Sequence, residues 1–500
     1  MATAALVGAL GLAHAGCAAG VAQTPEPSWR IADGAFDRDP RPVSAVEAEA
    51  DLLAAVRVFE EAYAGLEEGP RTPDAATLAA AQAAVRGQAQ WDPAALTRFL
   101  RDVLGAEDGH LAFGYGGHAP LRLLGGERRK PFVSAHVARV EADGAVWLGG
   151  ERLSGCAFGA GGVEILPTLE GQFVLSVFAA EGAPAPVPCK RAGGGQASLP
   201  LRAAVMEAVP RRRGVAEAVT LERRGEVPVL SIRTFESAAA EALEGLPAMA
   251  GTLRESPGFV LDLRGNGGGN YRYAEAFLLA LTSEPMQRLS EREVLSAAAA
   301  EGRANSARRR LGQGGVPAAA EARFVEHIGM LEALAAELRA RGAGREDVVT
   351  PGEVVRGHAE GPLRGRAVLL VDGGCASACE MLVSLARQLP STIVAGQPTR
   401  GGMAVGEVAL FALPRSGIQV SFGTRAFRDA LGDFEELRGF VPDVWIEGRD
   451  ALAEAVALAA GSKTPAGEVD GRRARRAGRR GTSAAGRGAG LRTGRRPHAG

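Results

Sequence analysis

Hydrophobic positions change period repeatedly along this 500-residue chain, and each change predicts a different kind of element. Residues 2–16 (ATAALVGALGLAHAG) are small and apolar and end at Cys17. Residues 22–42, rich in Pro, Asp and Arg, read as a linker. From Val43, apolar residues recur at the three-to-four spacing of helices in VEAEADLLAAVRVFEEAYAGL. DAATLAAAQAAVRGQ and DPAALTRFLRDVL continue that pattern to about Leu104. From Leu121 to about Gly225 the pattern becomes short strands between glycines, as in FVSAHVARVEADGAVWLGGERL, which predicts a small β-rich module.

Further on, the two periods alternate. VPVLSIRTF predicts a strand and AAAEALEGLPAMAGTLRE a helix. GFVLDLRGNGGGN is a strand running into a glycine-rich turn, with YRYAEAFLLALT as the helix behind it. Strand–helix–strand–helix order predicts a parallel-type α/β layer. Residues 286–362 read as a helical insertion rich in Arg, Ala and Glu. RAVLLVDGG restarts the layer, later strands follow in STIVAGQPTRGG, GEVALFALP and GIQVSFGTRAF, and PDVWIEGRDALAEAVALAAG closes it with a helix. The expected division is a leader-type segment at 1–17, a linker at 18–42, a helical region at 43–118 and a β-rich module at 119–225. An α/β core at 226–460 and a tail at 461–500 complete it.

A hydrophobic content of 46% supports a sizeable folded core. The net charge of −1 hides an asymmetry: from Gly461 onward eleven Lys/Arg face two Asp/Glu, a net of +9, leaving −10 on residues 1–460. That Gly/Ala/Arg tail has almost no large apolar residue and reads as a disordered, solvated tail, with no specific nucleic-acid partner expected. The apolar run before Cys17 is too short to span a bilayer and lacks a preceding Lys or Arg. His14-Ala15-Gly16-Cys17 is similar to a bacterial lipobox, with His14 where a branched apolar residue is usual. The expectation is export to the bacterial envelope or periplasm, with lipidation and membrane anchoring at Cys17. The other cysteines are even in number, which fits an oxidising compartment and makes Cys156–Cys189 the expected disulfide. Cys375 and Cys379 bracket Ser377 and either pair with each other or are two small buried residues. No histidine stands at ligand spacing from a cysteine pair, so no metal or organic cofactor is expected.

Candidate chemistry concentrates in LLVDGGCASACE, Leu369 to Glu380. A buried-type strand ends at Asp372, Gly373 and Gly374 permit a sharp turn, and Ser377 heads a helix. A serine there exposes its hydroxyl at a sheet edge, and the N–H groups of the first helical turn point at the same spot, which suits an oxyanion. An ordinary helix-capping serine fits this segment equally well. DLRGNGGGN, Asp262 to Asn270, is a second glycine-rich turn. It lacks a following Lys-Ser/Thr and the GxGxxG spacing of phosphate loops. It can present backbone N–H groups to one oxyanion, with the Ala378 N–H as partner, or be a plain tight turn.

DLRGNGGG, VDGGCASACE, AGQPTRGG and ELRGFVPDVWI, in that order, together resemble the C-terminal-processing (tail-specific) serine peptidases and the related tricorn core proteases. The resemblance covers about residues 226–460, with a weaker match over the N-terminal helices. It implies a crotonase-like α/β core, a peptide or protein substrate, and Ser377 as nucleophile with Gly267 or Gly268 and Ala378 as the oxyanion hole. Tail-specific members carry a lysine base in the loop after the Gly-x-x-Thr-x-Gly threonine; here that position is Gly402. Arg400 stays protonated and cannot accept a proton. The tricorn-type branch takes its base from a histidine after the N-terminal helices, which matches His110 in LGAEDGHLAFGY, with His118 as the nearby competitor. The family's supporting carboxylate matches Glu436, with Glu435 beside it. Asp262 and Arg264 match structural elements of the motif. Region 119–225 occupies the place of a peptide-binding PDZ module but shows no Gly-Leu-Gly-Phe-like loop. The resulting expectation is a serine peptidase using Ser377, His110 and Glu436. A non-catalytic peptide- or ligand-binding relative, favoured by the missing lysine, and an esterase or amidase are the alternatives.

Overall fold

The computed structural model describes residues 28–463, apart from 33, 66–72, 106–107, 116–120, 125, 142–145, 157–162, 170–171, 181–184 and 206–216. Cys17, His118 and most of the basic tail lie outside the described residues. Among the described residues, no helix is long and apolar enough to cross a membrane.

Strands Val227–Ile232, Gly258–Asp262, Arg366–Val371, Thr392–Gly396 and Val444–Trp445 lie side by side and parallel, with Val219–Arg224 as an antiparallel edge. The parallel strands are almost continuously apolar because both faces of the sheet are covered, whereas the edge strand is charged and exposed. Leu230, Phe259, Leu261, Leu369 and Val371 pack against helices Leu246–Arg254, Tyr271–Leu281 and Ala378–Ala386. Val229, Val260, Val368 and Leu370 meet helix Ala451–Ala459 on the other side. This is the α/β layer that the alternating periods predict.

A second sheet runs in the order Glu346–Thr350, Ser290–Leu295, Gln419–Arg428, Ala112–Tyr115, Leu121–Leu124, with Val405–Ala412 also paired to Gln419–Arg428. Helices Ala45–Ala62, Pro93–Leu104 and Ala297–Gly312 cover it through Leu52, Phe59, Leu100 and Ala299, which share a core with Phe113, Phe411 and Phe422 of the strands. Their start signals are explicit: Ser44 and Glu47 form a capping box, and Asp92 caps a helix opened by Pro93. Segment 286–362 contains the expected helices, Ala297–Gly312 and Ala318–Ala340, and also strands Ser290–Leu295 and Glu346–Thr350. The charge-rich SEREVL becomes a strand because its partner lies far along the chain. Arg425 stands opposite Glu293 and pairs with both Glu291 and Glu293.

Between residues 130 and 203 a nine-stranded antiparallel sheet forms the β-rich module, with its own core around Leu153, Leu175 and Leu199. It meets the rest of the protein where Val133, Leu166 and Val174 surround Trp445. Cys189 is disulfide-bonded and stands opposite Cys156 in the strand register.

Candidate active site

Because Gly258–Asp262 and Arg366–Val371 are adjacent parallel strands, the turns at their C-terminal ends emerge side by side. Asp372 joins them: its Oδ1 accepts the N–H of Gly374 in its own turn (2.8 Å) and of Gly265 in the other (2.9 Å). The Ala376 N–H donates to the Asn266 carbonyl (3.0 Å). Asp262, fully buried, accepts from Arg264 (2.9 Å) and Arg233 (2.6 Å). Burial pushes this carboxyl up, but the two guanidinium groups outweigh it and hold its pKa at about 2. Asp262 and Arg264 thus fasten the turn by ionic hydrogen bonds, as their place in the motif implies.

Ser377 begins helix Ala378–Ala386 with φ 55° and ψ −118°, a conformation that costs a non-glycine residue on the order of 1–3 kcal/mol. An ordinary capping serine has extended backbone, as Ser44 does (φ −68°, ψ 165°). Three restraints hold the strained residue. A disulfide links Cys375 to Cys379 across it. The Ser377 N–H donates to Glu380 Oε2 (2.9 Å). Gly268 lies against it: a Cβ there would sit 2.6 Å from the Ala376 oxygen, 2.9 Å from Ser377 Cβ and 3.1 Å from the Ala378 nitrogen. The Gly268 N–H is donated to Asn266 Oδ1 (3.0 Å), whereas Gly267 is exposed on the same turn. Cys379 is buried and disulfide-bonded, which removes it as a rival nucleophile.

Glu380 carries the elbow over to the next loop. Fully buried, it accepts from Thr399 Oγ1 (2.7 Å) and the N–H groups of Gly401 (2.7 Å), Gly402 (2.9 Å) and Ser377. Burial raises its pKa against the pull of these four donors. Thr399 Oγ1 also accepts the Phe440 N–H (2.8 Å), and the Leu437 N–H donates to the Gly401 carbonyl (2.7 Å). The Thr399 loop and the segment ending in Val441-Pro442-Asp443 are therefore one unit behind the serine.

His110 meets that unit from the second sheet, just before strand Ala112–Tyr115. Its Cε1 lies 3.8 Å from where a Gly402 Cβ would be, so the imidazole occupies space next to the position that carries lysine in tail-specific proteases. Glu436 accepts from the Gly109 N–H (2.9 Å) through Oε1 and from the Ala404 N–H (2.9 Å) through Oε2. Asp108, fully buried, accepts the backbone N–H of His110 through Oδ1 (2.6 Å). One polar side-chain atom from each of Asp108, His110 and Glu436 lies within 4.8 Å of the others. These residue types also hold metal ions; here each Glu436 oxygen already accepts one backbone N–H. Burial lowers the His110 pKa; Asp108 and the Val405 backbone oppose this, and Arg400 and Arg122 add to it. Burial raises Asp108, against the imidazole's pull. Glu436 is pushed well above the usual carboxylate range by burial and then by Asp108.

The structure therefore brings Ser377, Ala378, Gly267 and Gly268 to one spot and His110, Gly402 and Glu436 to its flank, joined through Glu380. Glu435 instead pairs with Arg129 and Arg438. Sequence reasoning missed Asp108 and Glu380. The signal for Asp108 was its spacing two residues before His110, and for Glu380 its spacing three residues after Ser377.

Residues 226–446 match the family model of peptidase family S41. No curated protein matches the chain. Among solved structures, it is similar to mature CPAF complexed with lactacystin, at 14% identity over 83% of this chain and 96% of that one, TM-score 0.44. A putative peptidase from Parabacteroides merdae matches at 13% identity over 83% of this chain and 96% of its own, TM-score 0.42. The photosystem II D1 C-terminal processing protease matches at 14% identity over 84% and 98% of the respective chains, TM-score 0.35.

Proposed function

The unit at residues 226–446 belongs to peptidase family S41 and the protein is a serine-type peptidase, from which we propose that it cleaves peptide bonds with Ser377 as nucleophile and His110 as base. The strained backbone of Ser377, pressed against Gly268 at the meeting of two strand-end turns, is the observation that carries this reading. Ser377 Oγ attacks the carbonyl carbon while its proton passes to the His110 imidazole, and the carbonyl oxygen takes the negative charge. The Ala378 N–H receives that oxyanion together with the Gly267 N–H, since the Gly268 N–H is engaged by Asn266. Imidazolium then protonates the leaving amine, and water, activated by the same imidazole, releases the acyl group. A buried carboxylate beside His110 supplies the support, and Glu380 links the serine turn to the Gly402 loop. Export, with Cys17 as a lipid anchor, belongs to the same proposal and rests on the sequence alone.

The test is labelling with a fluorophosphonate. Incorporation at Ser377 that is lost in Ser377→Ala and strongly slowed in His110→Ala supports the reading. Normal labelling in His110→Ala sinks the base assignment, and absence of Ser377-dependent labelling leaves a ligand-binding protein.

A further inference from the structure

Two carboxylates crowd His110, and the structure distinguishes them by what their oxygens already do. Glu436 already accepts a backbone N–H through each oxygen, that of Gly109 through Oε1 and that of Ala404 through Oε2. It thereby ties the histidine's loop to the segment after Gly402, and a Cβ at Gly109 would lie 3.0 Å from Glu436 Oε1. Asp108 Oδ1 accepts the backbone N–H of His110, while its Oδ2 is buried near the Tyr63 hydroxyl with no well-formed hydrogen bond among the described residues. His110 Nδ1 is likewise buried and unpartnered. A buried carboxylate oxygen and a buried imidazole nitrogen, each lacking a partner and belonging to residues of one cluster, are a donor–acceptor pair awaiting contact. Catalytic hydrogen bonds are often long before substrate binds.

We propose that Asp108 is the positioning carboxylate of His110, receiving the Nδ1–H, and that Glu436 is a brace between backbone segments. The proposal rests on the Ser377–His110 reading above and assigns within it the role that family resemblance gives to Glu436. With Nδ1–H held by Asp108, Nε2 is the lone-pair nitrogen. It takes the Ser377 Oγ proton as the Oγ–carbon bond forms and returns it to the leaving amine, while Asp108 stays ionised throughout. Tyr63, at the end of helix Ala45–Ala62, has its buried hydroxyl beside Asp108. The other charges facing the imidazole are Arg400 and Arg122, and Glu380 acts on Glu436 from the elbow side. Removing the Asp108 charge therefore leaves the imidazole facing two cations, which disfavours its protonated form.

The deciding experiment is nitrogen-15 NMR of histidine-labelled protein, paired with fluorophosphonate labelling rates as a function of pH. Wild-type His110 is expected as the neutral Nδ1–H tautomer with a strongly downfield Nδ1 proton. In Asp108→Asn that proton signal disappears, the acid limb moves to lower pH, and labelling slows by roughly 10³–10⁴-fold. Glu436→Gln is expected to keep the tautomer and the limb and to lower the melting temperature instead. An Nε2–H tautomer in the wild type overturns the proposal without recourse to any variant. So does an Asp108→Asn protein with an unchanged titration, or a Glu436→Gln protein that alone loses the Nδ1 signal. If the wild type fails to label at Ser377, the peptidase mechanism falls while the tautomer still decides the role of Asp108.

Discussion

The turn carrying Ser377 is one contiguous stretch, residues 372–380, whereas the loop carrying His110 is completed by residues 400–404 and 436, far along the chain. The serine's position is restrained several times over, by Asp372 across two turns, by Glu380 on its own N–H, by the Cys375–Cys379 bond and by the bare face of Gly268. The histidine's surroundings are buried but under-bonded: Asp108 Oδ2, His110 Nδ1 and the Tyr63 hydroxyl have no hydrogen-bond partner among the described residues. One side spends many bonds to hold a single strained conformation. The other keeps hydrogen-bonding capacity in reserve, which suits the proton-carrying role proposed for His110.

This contrast can be broken by substitution. Ser377→Ala should cost about 10⁶-fold in kcat against a peptide substrate, with a melting temperature close to that of the wild type because alanine keeps the Cβ and the strained backbone. His110→Ala should cost roughly 10⁴-fold or more, and wild-type kcat/KM should keep its acid limb below the ordinary imidazole value of about 6.5. The sign follows from the base being active when neutral: burial lowers the imidazole pKa, so the neutral form persists to lower pH. A limb above that value would mean that another group is titrating. Gly268→Ala should lose about 10²–10³-fold in kcat and also melt earlier, because its φ of +95° and the 2.6 Å approach to the Ala376 oxygen act together.

Smaller effects sharpen the same comparison. Replacing Cys375 and Cys379 together by alanine opens the short loop around the serine and should cost about 2 kcal/mol in denaturant unfolding. A kcat that falls while KM holds would assign the bond to the elbow and not to substrate binding. Asp262 supplies the smallest test. Its folded pKa of about 2 lies below the ordinary carboxylate value of 3.8, so its stabilisation is complete above pH 4 and is lost as pH falls through 2. That contribution is about 2 kcal/mol, readable as a drop in unfolding free energy over that interval. Loss beginning near neutral pH would point to a different group.

Legibility from sequence divides along the same line. The serine turn is written in neighbours: a four-residue apolar run, two glycines, then helical spacing, all within the reach of local rules. The parallel layer follows from the alternation of periods for the same reason. The His110 site depends on which strands pair across hundreds of residues, and Ser290–Leu295 lies within a stretch dominated by alanine-rich helices. Family resemblance supplied His110 and Glu436, but it could not show that both Glu436 oxygens would be taken by backbone donors. Nor could it show that the Gly268 N–H would turn inward to Asn266.

The bare α-carbon of Gly402, with His110 Cε1 3.8 Å from where its first side-chain carbon would stand, has a consequence for ancestry. Two designs for the same fold, one with lysine at this position and one with histidine on the opposite loop, draw on one small volume. That separation is an ordinary contact, so a chain can hold both groups, whereas under the proposed mechanism a chain holding neither leaves the serine with no acceptor for its proton. Passage between the designs can therefore run through a chain that carries both. In alignments of relatives, the two positions should rarely both lack a base.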